Sequence, residues 1–142
     1  MKLVDANVLL YAVNEDEPHH TEAKNWLDTS LVRTESIGFA WSIVLAFLRV
    51  STRSPAFARP FDTEHAVARL EKWLAQPPAV VVEPTRRHLP LVAGLLRSVG
   101  TAGNLVNDAH LAALALEHDA TVISYDSDFG RFEGVRWASP GD

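Results

Sequence analysis

Short apolar runs alternate with longer stretches of helical periodicity along this chain, and that alternation restricts its fold more than any other feature. Lys2-Leu3-Val4, Ser36-Ile37-Gly38, Ala79 to Val82 and Thr121-Val122-Ile123-Ser124 read as strands, with a weaker one over Val135 to Ala138. Between them, Asn7 to Tyr11 reads as a short helix, and Thr21 is placed to cap another through Leu27. Trp41 to Val50, Leu89 to Val99 and Leu105 to Glu117 have the apolar spacing of buried or half-buried helices. Asp62 caps a clear amphipathic helix on Ala66, Val67, Leu70, Trp73 and Leu74, which Pro77-Pro78 ends. Strands alternating with helices predict an α/β fold with three layers and a mainly parallel central sheet. In such a sheet Ala79 to Val82, apolar throughout and rich in valine, is expected to be buried on both faces.

The chain's 142 residues suit one domain spanning 1–142. Apolar residues make up 47% and charged residues 22%, values that exclude disordered and low-complexity classes. No apolar run approaches the roughly 18–20 residues needed to cross a bilayer, so no membrane partner is expected. Asp5 interrupts the apolar start where a secretory signal would continue, which points to the cytoplasm. Without cysteine, disulfides, thiolate chemistry and Cys-bound zinc are excluded. The 13 basic and 18 acidic residues give a net charge of −5, which argues against a surface that grips nucleic acid all over. It leaves open an enzyme with an acidic, metal-binding pocket and arginines placed locally.

The positions of the aspartates carry the chemical information. Asp5 directly follows the first strand, Asp126 and Asp128 follow a late one, and Asp108 lies at the start of the helix between. Ligands of open parallel sheets bind outside the carboxyl ends of the strands. Taken singly, each acid has a structural reading: a helix start favours an acid for dipole reasons, and Asp126 and Asp128 suit a turn. Together they are costly, because two carboxylates about 4 Å apart repel by roughly 4 kcal/mol at an effective dielectric near 20. A hard cation held by oxygen ligands, Mg²⁺ or Mn²⁺, relieves that repulsion and suits phosphodiester chemistry. No Walker A loop, G-x-S-x-G, H-E-x-x-H or G-x-G-x-x-G pattern competes with this reading. A small Mg²⁺-dependent phosphatase of the haloacid-dehalogenase type needs a second aspartate two residues after the first, where this chain has Asn7.

Three blocks then resemble a known family. Leu3-Val4-Asp5-Ala6-Asn7-Val8-Leu9 resembles the opening block of PIN domains, particularly the VapC toxins of bacterial toxin–antitoxin pairs. The run from Asn104 to Ala115 resembles their central acid-bearing helix, and Val122 to Phe129 their closing strand-and-acid block. The three occur in order and cover essentially the whole chain. The resemblance implies a three-layer α/β/α PIN-like domain and a Mg²⁺- or Mn²⁺-dependent endoribonuclease that cuts structured RNA, transfer or ribosomal, through metal-activated water. By position, Asp5, Asp108 and Asp126 match the family's catalytic, metal-binding acids, and Asp128 a further acid near the metal. Asn7 matches a polar residue that supports the first aspartate, and Asn104 is a candidate amide for orienting a carboxylate.

One position departs from the family's pattern. Ala46 stands where the family usually carries a glutamate three residues before an arginine, here Arg49. That loss opens an alternative, a catalytically weak PIN-like module that binds RNA or an antitoxin. The resemblance further implies a cognate VapB-type antitoxin and a homodimer, for which Trp26, Leu27 and the helix from Trp41 to Val50 are the candidate surface. Arg49, Arg53 and Arg59 are the candidate RNA contacts, since arginine suits bidentate phosphate recognition.

Overall fold

Lys2–Val4 forms β1, whose Leu3 and Val4 are fully buried, and Asp5 stops it by capping the helix that follows. The computed structural model describes residues 1–53 and 55–142; Ser54, between the candidate RNA contacts Arg53 and Arg59, lies outside the described residues. After β1 come α1 (Ala6–Val13), α2 (His20–Ser30), β2 (Ile37–Ala40), α3 (Trp41–Ser51) and α4 (Thr63–Leu74). β3 (Ala79–Val82), α5 (His88–Val99), α6 (Val106–Glu117), β4 (Thr121–Ile123) and β5 (Trp137–Ala138) complete the fold. Short 3₁₀ turns cover Gly103–Leu105 and Ser127–Arg131.

Every strand pair is parallel, in the order β3-β2-β1-β4-β5. The chain therefore builds outward from β1 to β3, then crosses back to place β4 and β5 on the other side of β1. Right-handed crossovers put α1 to α4 on one face and α5 with α6 on the other, giving the expected three layers. The reversal of strand order falls between β1 and β4, where an open α/β sheet leaves a crevice at its carboxyl edge. Asp5 and Asp126 follow those two strands.

The core explains why the helices lie where they do. Ala109, Leu111, Ala112, Ala113, Leu114 and Ala115 of α6 are all buried, as expected of a helix apolar on nearly every side and covered by both sheet and α5. Ile43, Val44 and Phe47 of α3 fill the other face, where the Phe47 ring meets Trp73 of α4 edge-on, 5.2 Å between centroids. Asp62 caps α4 as its sequence predicts, accepting from the His65 N–H at 2.8 Å. Among the described residues, no helix is long and apolar enough to cross a membrane.

Three local expectations are corrected. Thr21 does not cap α2; the N-cap position is His19 and the helix begins at His20, two residues earlier than a Thr21 cap would start it, with the His20 ring nitrogen 2.8 Å from the Tyr11 carbonyl. β3 is not buried on both faces. It is an edge strand with a neighbour on one side alone, and Val81 is 41% exposed while Val82 is buried. β5 covers two residues, Trp137 and Ala138, rather than the four from Val135.

Gly38 sits in the middle of β2 between β1 and β3, and a Cβ there would meet Leu3 Cδ1 at 3.1 Å, Val82 Cγ1 at 3.2 Å and Met1 Sδ at 3.3 Å. We expect Gly38→Ala to cost about 1–3 kcal/mol through overpacking, measured by urea denaturation. An unchanged midpoint would show that the sheet centre is looser than these distances imply.

Candidate metal centre

Asp5 enters the site through its own local structure. Its Oδ1 accepts the Ala6 N–H at 2.7 Å as the N-cap of α1, which turns the carboxylate back over the end of β1. Oδ2 accepts the Ser124 hydroxyl at 2.6 Å and the Asn7 side-chain amide at 3.2 Å. The same Asn7 amide donates to Ser124 Oγ at 3.0 Å, while its Oδ1 accepts the Tyr125 N–H at 3.2 Å. Ser124 Oγ also accepts the Asp126 N–H at 2.9 Å. Asn7 therefore touches Asp5, and the network stitches the end of β1 to the end of β4.

Asp126 then uses its Oδ1 to accept the Asp128 N–H at 2.9 Å, capping the turn Ser127–Arg131 and drawing the two carboxylates together. Asp108 approaches in the first turn of α6. Carboxylate oxygens of Asp108, Asp126 and Asp128 all lie within 4.8 Å of one another, an arrangement that can hold a metal ion. Of the four predicted acids these three form the tight cluster. Asp5 has both oxygens engaged in hydrogen bonds, and it lines the adjoining cleft with Asp108.

The electrostatics follow from this crowding. Burial, with the charges of Asp126, Asp5 and Asp128, pushes the Asp108 carboxyl up to about 6. Burial also raises Asp5, although the hydrogen bonds from Ser124 and Ala6 work against it and Asp126 adds repulsion. The donor set is all oxygen, with neither thiolate nor imidazole in the cluster, and fits a hard divalent cation. His110, two residues past Asp108, hydrogen-bonds instead to His88 at 2.7 Å, and His88 contacts Glu117 at 3.1 Å, a chain of contacts that ties α5 to α6.

A cleft of ≈ 330 Å³ opens beside the acids, lined among others by Asp5, Asp108, Ser42, Ala46 and Arg49. Ala46 thus faces the cleft from α3, and Arg49 lies one turn along. Arg53 follows α3 on an exposed loop. Arg59 lines a different pocket, with Asn14, Glu15 and Asp16 beyond the far end of α1. Asn104 is exposed in the turn before α6 and makes no hydrogen bond to the acids among the described residues. Of the proposed self-association surface, Leu27, Ile43, Val44 and Phe47 belong to the core, while Trp41 and Leu45 stay 52% and 58% exposed.

Sequence reasoning missed two serines. Ser124 is the first residue beyond β4, a position shared with Asp5 beyond β1, and that shared edge was the available signal. Ser42 gave none. Its hydroxyl is buried at the cleft wall without a hydrogen-bond partner among the described residues.

The fold has counterparts among known proteins. Residues 2–135 match the PIN domain family. Ribonuclease VapC37 of Mycobacterium tuberculosis is 56% identical over 99% of this chain and 97% of its own length, and Ribonuclease VapC33 of the same organism is 37% identical over 99% and 98%. Among solved structures, VapBC2 from Rickettsia felis bound to a promoter DNA fragment superposes with a TM-score of 0.71 at 18% identity, covering 97% of each chain. The Mycobacterium tuberculosis VapC20, described as a sarcin–ricin loop cleaving toxin, gives a TM-score of 0.70 at 16% identity, covering 96% of this chain and 99% of its own.

Because the folded-state pKa of Asp108 lies above the unfolded value, its charge opposes folding above pH 6 and the penalty fades as pH falls toward 4. In EDTA at pH 8, Asp108→Asn should therefore raise stability by about 1 kcal/mol, after allowance for solvent screening of a half-exposed group. The gain should shrink on acidification. A variant less stable than the parent at pH 8, measured by thermal melting, would contradict the crowding.

Proposed function

The chain belongs to the PIN-domain family, and we propose that it is a metal-dependent endoribonuclease, the toxin of a VapBC-type toxin–antitoxin pair, cutting structured RNA of the transfer or ribosomal kind. The observation that carries this reading is the convergence of Asp108, Asp126 and Asp128 at the β1–β4 crevice. The relatives named as VapC ribonucleases support it over nearly the full length of the chain.

In this reading Asp108, Asp126 and Asp128 hold Mg²⁺ or Mn²⁺, with Asp5 as the fourth acid of the catalytic set. When bound, the cation neutralises charge on the scissile phosphate and activates water for in-line attack. Ser124 and Asn7 fix the Asp5 carboxylate so that it faces the same crevice. Arg49, at the cleft wall, is placed to bind a phosphate oxygen.

The partner is a VapB-type antitoxin presenting an arginine to the acids and an apolar segment to Trp41 and Leu45, which stand exposed on α3 beside the cleft. A homodimer in the cytoplasm, with 1–142 as a single domain, completes the proposal. Ala46 favours a second reading, a module that binds RNA but cleaves it weakly, because the cleft lacks an acid on α3.

Total RNA incubated with the purified chain separates the readings. Mg²⁺ or Mn²⁺ should produce discrete cleavage ends, EDTA should abolish them, and Asp126→Asn should lower the rate by about a hundredfold or more, the scale of losing a major electrostatic element. Cleavage that survives EDTA would sink the metal-dependent reading, and binding without cleavage would favour the second. Calorimetric titration of the free protein should show one Mn²⁺ site, and Ala46→Glu should tighten it or add another. Two tight sites in the unaltered chain would contradict the role given to Ala46.

A further inference from the structure

Three aromatic rings stand beside the acids and take no part in the reaction described above. Tyr125 lies between Ser124 and Asp126, and Tyr11 is one turn along α1 from Asn7. His19 precedes α2 and stacks on Tyr125, 4.5 Å between centroids at 25°. Tyr11 completes the group, 5.2 Å from Tyr125 and 6.1 Å from His19, nearly parallel to the latter at 18°. From this geometry we infer that Tyr11, His19 and Tyr125 form a stacking platform for an unpaired nucleobase next to the scissile phosphate. The inference rests on the ribonuclease reading and adds the feature of RNA that the site would grip.

Three observations support it. The platform is rigid: Tyr125 Oη donates to Glu22 at 2.9 Å, the Tyr125 N–H is held by Asn7, and the Tyr11 carbonyl meets the His20 ring at 2.8 Å. It is also accessible, since Tyr11 and Tyr125 lean on the core while the His19 side chain is 53% exposed. Finally, it is close to the acids: Tyr125 directly precedes Asp126, and the Asn7 side chain that accepts its N–H also donates to Asp5.

Chemistry explains why such a platform is needed. A chain with a net charge of −5 and an acidic crevice gains little affinity from phosphate attraction. Stacking is indifferent to that charge, tolerates any base, and is the usual means by which proteins hold unpaired RNA bases. A purely structural role for the trio, pinning the start of α2 to α1, would instead make its loss a matter of stability alone.

The test uses single-stranded and hairpin RNAs carrying one 2-aminopurine at successive positions, bound to the full chain in an Asp108→Asn background. Fluorescence should be quenched at one position. His19→Ala should weaken binding at least about fivefold, the low end of the per-base stacking range. His19→Trp should restore it, and an abasic nucleotide at the quenched position should reproduce the His19→Ala loss. With Asp108 intact, His19→Ala should raise KM and leave kcat within about twofold. Unchanged affinity in His19→Ala, bound RNA with no quenched position, or a loss that His19→Trp does not restore would each overturn the platform. If the parent cleaves RNA in any of those cases, the ribonuclease reading stands without it. A parent that neither binds nor cleaves RNA overturns both.

Discussion

The Ser124 hydroxyl reaches across the seam between β1 and β4 to donate to Asp5 at 2.6 Å, and the arrangement of the acidic site depends on that bond. The same oxygen accepts the Asp126 N–H, so one small side chain fixes the exit direction of both strands. Without it, the two acid-bearing segments would lose the hydroxyl that offsets their mutual repulsion and keep only the strand pairing and the Asn7 contacts. Asn7 braces the bond from α1, touching both Asp5 and Ser124 and holding the next peptide at Tyr125. The parallel sheet makes this possible, because strand order reverses at β1 and places the two strand ends side by side.

From that clasp the rest of the site follows in steps. Asp126 leaves β4 at a fixed angle, caps the next turn, and brings Asp128 to its side. α6, buried along nearly its whole length, delivers Asp108 from the opposite layer, anchored by apolar packing strong enough to offset the charge it brings. The raised Asp108 carboxyl records the strain of that meeting. Crowding of this kind costs folding energy that a bound divalent cation would return, so metal affinity and the stability of the metal-free chain would be opposite faces of one arrangement.

Much of this was legible in the sequence, for identifiable reasons. Asp5 and Asp126 stood directly after apolar strand runs, and Asp108 opened a helix, so local patterning gave both the α/β class and the edge at which acids would gather. What local patterning does not encode is which carboxylates end nearest each other. Asp128 joins Asp108 and Asp126 because of a side-chain cap within a five-residue turn, while Asp5 is drawn into hydrogen bonds by a serine 119 residues away. β3 misled because valines look alike on a central strand and an edge strand, and its place was decided by where α5 and α6 carry the chain next. Arg59 was grouped with Arg49 by proximity in sequence, yet a loop returns it to the far end of α1. The aromatic trio was invisible for the same reason: Tyr11, His19 and Tyr125 meet only once β1 and β4 are paired.

The central claim is that Asp108, Asp126 and Asp128 together hold the catalytic cation, and anomalous diffraction from crystals soaked in Mn²⁺ addresses it most directly. The account predicts a peak in the β1–β4 crevice with an oxygen from each of those three carboxylates at about 2.1 Å, the bond length of small hard cations. A cation bound elsewhere on the chain, or no peak in the crevice at millimolar Mn²⁺, would contradict it.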